Sequence, residues 1–215
     1  MKNILCFGDS NTYGFSPDWV KGNFGRHDRS VRWTGRLQEL LGDEYRIIEE
    51  GLSGRTTVFE DPTMADMNGL PYFRPCLKSH MPLDLVIIML GTNDTKGVFH
   101  ARPVEIAMGL ARLIQIAKDP ATYMGMKVPK ILVAVPVPIG EAALSLPDGI
   151  TTMEMIEKSR GLASEYRKIA KMYGCEFIDL GEVAKTADYE GVHLDAEGHK
   201  AVAEAYAAKI REIFE

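Results

Sequence analysis

Residues 83–90 read Leu-Asp-Leu-Val-Ile-Ile-Met-Leu, a nearly unbroken apolar run rich in β-branched side chains. An amphipathic strand alternates, with one face wet. A strand that does not alternate is buried on both faces, the signature of a parallel sheet covered by helices on each side. Four other short runs belong with it, at 4–7, 45–48, 131–135 and 175–180. Helical patterns lie between them. Trp33, Leu37, Leu40 and Leu41 keep 3–4 spacing, as do Ile106, Leu110, Leu113, Ile114 and Ala117 after Pro103, a residue suited to a first helical turn. Thr151 and Glu154 read as a capping box for a helix reaching about Met172. Asp195 can cap a last helix carrying Val202, Tyr206, Ile210 and Phe214. Strand and helix alternate, so the class is α/β with a parallel sheet and right-handed crossovers.

With 215 residues, 46% of them hydrophobic, the chain is expected to form one domain over 1–215. The formal charge is −5 and no basic face stands out, which argues against nucleic acid as a partner. No run of some 18 apolar residues argues for a membrane span. The three cysteines, Cys6, Cys76 and Cys175, lie far apart and read as buried thiols. The N-terminal apolar run is too short for a signal peptide, so the expected location is cytoplasmic. The phosphate-loop, dinucleotide, zinc-protease, CxxC and G-x-S-x-G patterns are all missing, and the five histidines lack metal-ligand spacing, so no metal is expected.

Three stretches resist assignment to helix or strand: 8–32, 51–71 and 136–149. Each follows a strand, at the end where open α/β sheets place ligands. Parts of them, 22–32 and 63–75, are candidate oligomer contacts. Four polar clusters sit at such ends. Gly8-Asp9-Ser10 can present a hydroxyl to a cleft, or Ser10 can simply cap a helix. In Gly51-Leu52-Ser53-Gly54-Arg55-Thr56-Thr57 the glycines let backbone approach a reacting oxygen, or make a tight turn. Asn93 in Gly91-Thr92-Asn93-Asp94 can donate to an oxyanion or close an Asx turn. In Glu190-Gly191-Val192-His193 the carboxylate can hold the Nδ1 of His193 and leave Nε2 as a base, or His193 can be a surface loop residue. His199, inside the last helix, reads as a surface residue.

Gly8-Asp9-Ser10, Gly54, Gly91-Thr92-Asn93-Asp94 and Glu190-x-x-His193 resemble, in order, the four blocks of the SGNH (GDSL-type) hydrolases. The longer strings 4–10, 49–57 and 83–96 resemble the bacterial arylesterase/acyltransferase branch. The resemblance covers essentially the whole chain. It implies a flavodoxin-like three-layer α/β/α sandwich with a five-stranded parallel sheet in order 2-1-3-4-5. It implies Ser10 as nucleophile, His193 as base, and an oxyanion hole of the Ser10 and Gly54 N–H groups with the Asn93 side chain. It implies a small-molecule ester as substrate, no metal or organic cofactor, and a homo-oligomer. The family's acid is Asp; here Glu190 stands in its place, one methylene longer, with Asp188 two residues earlier as the alternative. Tyr13, Phe15, Leu52, Thr92, Lys96, Val137 and Ile139 are the candidate pocket residues.

The reading is a serine esterase for short-chain acyl or aryl esters, with acyl transfer to alcohols as a further outcome. The alternatives are a carbohydrate O-acetyl esterase with the same catalytic residues, a flavodoxin-fold binding module built around Asp9, and an inactive esterase scaffold, for which Glu190 is the only argument.

Overall fold

The computed structural model describes all residues, 1–215. In chain order the elements are β1 (Lys2–Gly8), α1 (Ser10–Tyr13), α2 (Trp33–Leu41), β2 (Tyr45–Gly51), α3 (Gly69–Ser79), β3 (Leu85–Met89), α4 (Pro103–Lys118), β4 (Lys130–Val135), α5 (Met153–Tyr173), β5 (Glu176–Asp179) and α6 (Ala196–Phe214), with short 3-10 turns between them. The strands form one parallel sheet in the order β2-β1-β3-β4-β5. That is the predicted three-layer arrangement.

The sheet is buried on both sides, as the apolar run at 83–90 demands. Leu5, Phe7, Val86, Ile88, Ile131 and Val133 pack against α3, α4 and α5. Their neighbours Ile4, Cys6, Leu85, Ile87, Leu132 and Ala134 face α2 and α6. Successive strand residues point to opposite faces, so each layer takes every second side chain. All five residues of β3 are buried. No helix is long and apolar enough to cross a membrane.

The order reverses at β1, which lies between β2 and β3. Its carboxyl end, Gly8, is in register with Gly51 and Met89. In open α/β sheets such a switch point opens a crevice. Close packing shapes its rim. A Cβ on Gly51 would sit 2.1 Å from the backbone nitrogen of Tyr13, so only glycine lets α1 rest on the end of β2.

Four expectations need correction. The stretches 51–71 and 63–75, read as irregular, contain most of α3. Asn68 caps it, accepting from the Leu70 N–H at 2.9 Å, while Pro71 and Pro75 mask its helical pattern. The cap of α5 is Thr152, not Thr151. Its hydroxyl accepts from the Met155 N–H at 3.3 Å, and Glu154 instead pairs with Lys158. Cys6 and Cys76 are buried, but Cys175 is half-buried, one residue before the edge strand β5. Finally, His199 is not a surface residue. It is fully buried, and its Nδ1 accepts from the Trp33 N–H at 3.2 Å. Arg32 offers no side-chain cap to α2, so this imidazole satisfies an otherwise orphaned donor. The ring pair Trp33–Tyr206, with centroids 4.7 Å apart, closes the same α2–α6 seam.

Burial pushes the His199 imidazole down to about 3, and nearby His27, Arg36 and Arg32 add to the effect. Unfolded histidine titrates near 6.5. Above that pH both states are neutral. As the pH falls from about 6.5 toward 3, the unfolded imidazole binds a proton and the folded one does not, so stability is lost across that window. The urea midpoint of the wild type should therefore drop more between pH 6.5 and 4 than that of His199→Gln. Parallel pH dependences in the two proteins would contradict this.

Candidate active site

Ser10 opens α1, a single turn that starts two residues beyond β1. Asp9 caps the turn, its Oδ1 accepting from the Asn11 N–H at 3.0 Å. The cap fixes the serine at the strand-to-helix corner, directly over the switch point. Burial pushes the Asp9 carboxyl up to about 6 against the lowering effects of the Asn11 N–H, His193 and Arg55.

His193 arrives from the other end of the chain. Its Nε2 lies 3.0 Å from Ser10 Oγ, and its Nδ1 lies 2.6 Å from Glu190 Oε1. The side chains of Ser10, His193 and Glu190 thus form one hydrogen-bonded row. Glu190 is fully buried. Its Oε1 also accepts from Trp19 Nε1 at 2.9 Å, and its Oε2 accepts from the backbone N–H groups of Val192 at 2.8 Å and His193 at 2.6 Å. Burial opposes ionisation of this carboxyl, but His193 and Trp19 outweigh it and hold Glu190 down at about 2. The carboxylate is therefore charged, directed by four donors, and able to fix the ring orientation of His193. Phe15 packs on the imidazole with centroids 4.8 Å apart. Asp188, the alternative acid, is exposed and has no part in this row.

The other two clusters converge on the same serine. Gly54 has φ +88°, a left-handed conformation that favours glycine, in the turn closed by the Arg55 N–H to Leu52 carbonyl bond. The Gly54 N–H has no partner within the chain. Asn93 Nδ2 donates to the Arg55 carbonyl at 3.1 Å, which leaves its second N–H for the cleft. Two buried contacts brace these loops. Arg55 Nη1 donates to the Gly8 carbonyl at 2.9 Å, and Asp94 Oδ1 accepts from both the N–H and the hydroxyl of Thr57. Burial pushes Asp94 up to about 6, with Thr57 acting against it.

The cleft over Ser10 has a volume of about 230 Å³. That is below the usual range for drug-sized ligands and suits a small acyl or aryl group. Of the predicted pocket residues, Phe15, Thr92, Lys96 and Ile139 line it. Tyr13, Leu52 and Val137 do not. The Tyr13 ring carries the Arg26 guanidinium at 4.4 Å, Leu52 borders a separate depression beside Glu50, and Val137 is buried in the core against β3 and β4. The walls come instead from unpredicted places: Trp19, Met64, Leu146, Ile150 and Met155. Lys96 is paired with Asp61 at 3.0 Å, so it brings little free charge to the cleft.

Asn11 also escaped the sequence reading. It is buried, and its side chain donates to the Val192 carbonyl at 3.2 Å and accepts from the Leu194 N–H at 2.9 Å. One amide thus grips both neighbours of His193 while sitting next to Ser10 in the chain. The only sequence signal was that adjacency.

Residues 6–201 match the family of GDSL-like lipases/acylhydrolases. An acetylxylan esterase from Xylanibacter ruminicola is 29% identical over 97% of this chain, which spans only 43% of that relative's length. Among solved structures, a carbohydrate acetylesterase from Sinorhizobium meliloti is 40% identical with a TM-score of 0.92, covering 99% of this chain and 100% of that one. The native aryl esterase of M. smegmatis is 38% identical with a TM-score of 0.93, covering 99% of both chains.

A charge-assisted hydrogen bond as short as that between Glu190 and His193 Nδ1 has a direct signature. The Nδ1 proton of His193 should resonate far downfield in a nitrogen-edited proton spectrum. Glu190→Gln should move it upfield or lose it to exchange; an unchanged resonance would show that Glu190 does not hold the ring.

Proposed function

This chain belongs to the family of GDSL-like lipases/acylhydrolases, and from that premise we propose that it is a serine esterase for small, uncharged acyl esters. The observation that carries the reading is the row from Glu190 through His193 to Ser10, closed at 2.6 and 3.0 Å. A serine hydroxyl is a weak nucleophile at neutral pH and needs an adjacent base. In this reading Nε2 of His193 takes the Ser10 proton as Oγ attacks the ester carbonyl. Glu190 fixes the tautomer and stabilises the imidazolium that forms. The oxyanion develops against the N–H groups of Ser10 and Gly54 and the free N–H of Asn93. His193 then protonates the leaving alcohol, and water enters to hydrolyse the acyl-serine. An imidazole protonated beforehand cannot act as base, so acid suppresses the first step.

The apolar walls from Phe15, Trp19, Ile139 and Met155, with Lys96 neutralised by Asp61, support short-chain acyl or aryl esters. Hydrolysis of acetyl groups on carbohydrate is the second reading, supported by what the Xylanibacter and Sinorhizobium relatives are named for. An alcohol in place of water would give acyl transfer, which the apolar walls favour by thinning out water. The four donors on Glu190 favour an active enzyme over an inactive scaffold. Three free cysteines support a reducing, cytoplasmic setting.

Purified protein should hydrolyse p-nitrophenyl acetate, and Ser10→Ala should fall to background. Equal activity in the two would remove Ser10 as nucleophile. Asn93→Ala should keep the fold and lower kcat about 10²–10³-fold, the usual worth of one oxyanion donor. Faster release of acetate from acetylated xylan than from aryl acetates, compared by kcat/KM, would select the carbohydrate reading.

A further inference from the structure

We propose that Glu50, Cys76 and His80 form a binding site for a divalent transition-metal ion, with zinc the best chemical match. The three side chains stand apart from the cleft, where the end of β2 meets the end of α3. One carboxylate oxygen of Glu50, the Cys76 sulfur and one ring nitrogen of His80 all lie within 4.8 Å of one another. Tetrahedral zinc with bonds of about 2.0–2.3 Å places its donors roughly 3.3–3.8 Å apart, so small side-chain rotations would close the site. Cys76 and His80 are four residues apart, one turn of α3 and its cap, and therefore share a helix face. Glu50 supplies the third donor from the strand. A thiolate, an imidazole and a carboxylate are a borderline-soft set that suits zinc and excludes calcium or magnesium.

The surroundings fit a cation. Glu50 Oε1 and His80 Nε2 already meet at 2.7 Å, so two donors are preformed and the ion would replace the proton between them. The Tyr72 hydroxyl donates to the Glu50 carboxylate at 3.2 Å, the kind of outer contact that orients a ligand. Glu50 and His80 are partly exposed, while Cys76 is buried behind them. Two of the three donors are thus reachable from solvent, and three protein donors leave one position of a tetrahedral ion for water. The depression that Glu50 borders also carries Glu60 and Asp66, which add negative potential on that side of the carboxylate. Arg55 is the opposing charge nearby. Its guanidinium lies over the Phe7 ring at 4.2 Å and donates to the carbonyls of Gly8 and Glu50. It sets one positive charge against the two negative charges of the carboxylate and a thiolate.

The test uses the full chain, stripped with a chelator, reduced with a non-thiol reagent and titrated with Co²⁺. One equivalent should produce a thiolate-to-cobalt charge-transfer band that Zn²⁺ abolishes. Cys76→Ser should remove the band, and His80→Ala should weaken Co²⁺ binding at least about tenfold. Both variants should keep the wild-type far-UV circular dichroism and p-nitrophenyl acetate turnover, which separates this site from the catalytic one. Absence of a band, or a band that survives Cys76→Ser and so arises at another thiol such as Cys175, would overturn the proposal. If Cys76→Ser loses ellipticity, His80→Ala decides: unchanged Co²⁺ affinity in that folded variant also overturns it.

Discussion

A parallel sheet covered on both faces confines chemistry to its ends. Inside the sheet every second side chain of β1, β3 and β4 is committed to one helical layer and the rest to the other. A polar group there would lose water without regaining a partner. At the carboxyl ends the backbone leaves the sheet, and loops can gather donors, acceptors and charges. The reversal of strand order at β1 makes one of these ends wide enough for a cleft. Ser10 leaves β1, the 52–57 loop leaves β2 and Asn93 follows β3, so three chain segments reach one point at the carboxyl end of the sheet.

The loop with Glu190 and His193 shows how a longer acid is accommodated. Glu190 bonds its own backbone neighbours through Oε2 and reaches Nδ1 through Oε1, with Trp19 filling the remaining position. A buried carboxylate in this setting is costly unless every oxygen is used. Here the donors come from a compact turn and from Trp19, a residue distant in sequence that lines the same cleft. Trp19 thus serves two ends, as a cleft wall and as the outer support of the acid.

Asn11 links the two halves of the candidate site. Ser10 and His193 are 183 residues apart, and their 3.0 Å approach depends on two separate loops keeping one geometry. The Asn11 amide joins the turn after β1 to the backbone on both sides of His193. Its own N–H is fixed by Asp9 and its carbonyl by Trp33 Nε1 at 3.0 Å. Motion of the histidine loop must therefore break these hydrogen bonds, which hold Ser10 and His193 at their 3.0 Å approach.

The five strands, most of the helices and the four polar clusters could be placed from local pattern, because burial on two faces and helical periodicity are written in neighbouring residues. The strand order and the assignment of roles needed the family resemblance, since periodicity does not say which strands pair. α3 stayed hidden because Pro71 and Pro75 break its pattern, though both are tolerated in place. With it stayed hidden the helical adjacency of Cys76 and His80. The burial of His199 was equally invisible, because its partner is the Trp33 N–H, 166 residues away. The cleft walls at Met64, Leu146 and Ile150 come from loops whose apolar residues look like any others in sequence. By itself the sequence determined where the chain turns and which polar groups follow each strand, because those depend on neighbours along the chain. The tertiary structure alone decided which groups meet: the supports of Glu190, the grip of Asn11 and the shape of the cleft are contacts between distant segments, and such contacts leave no local mark.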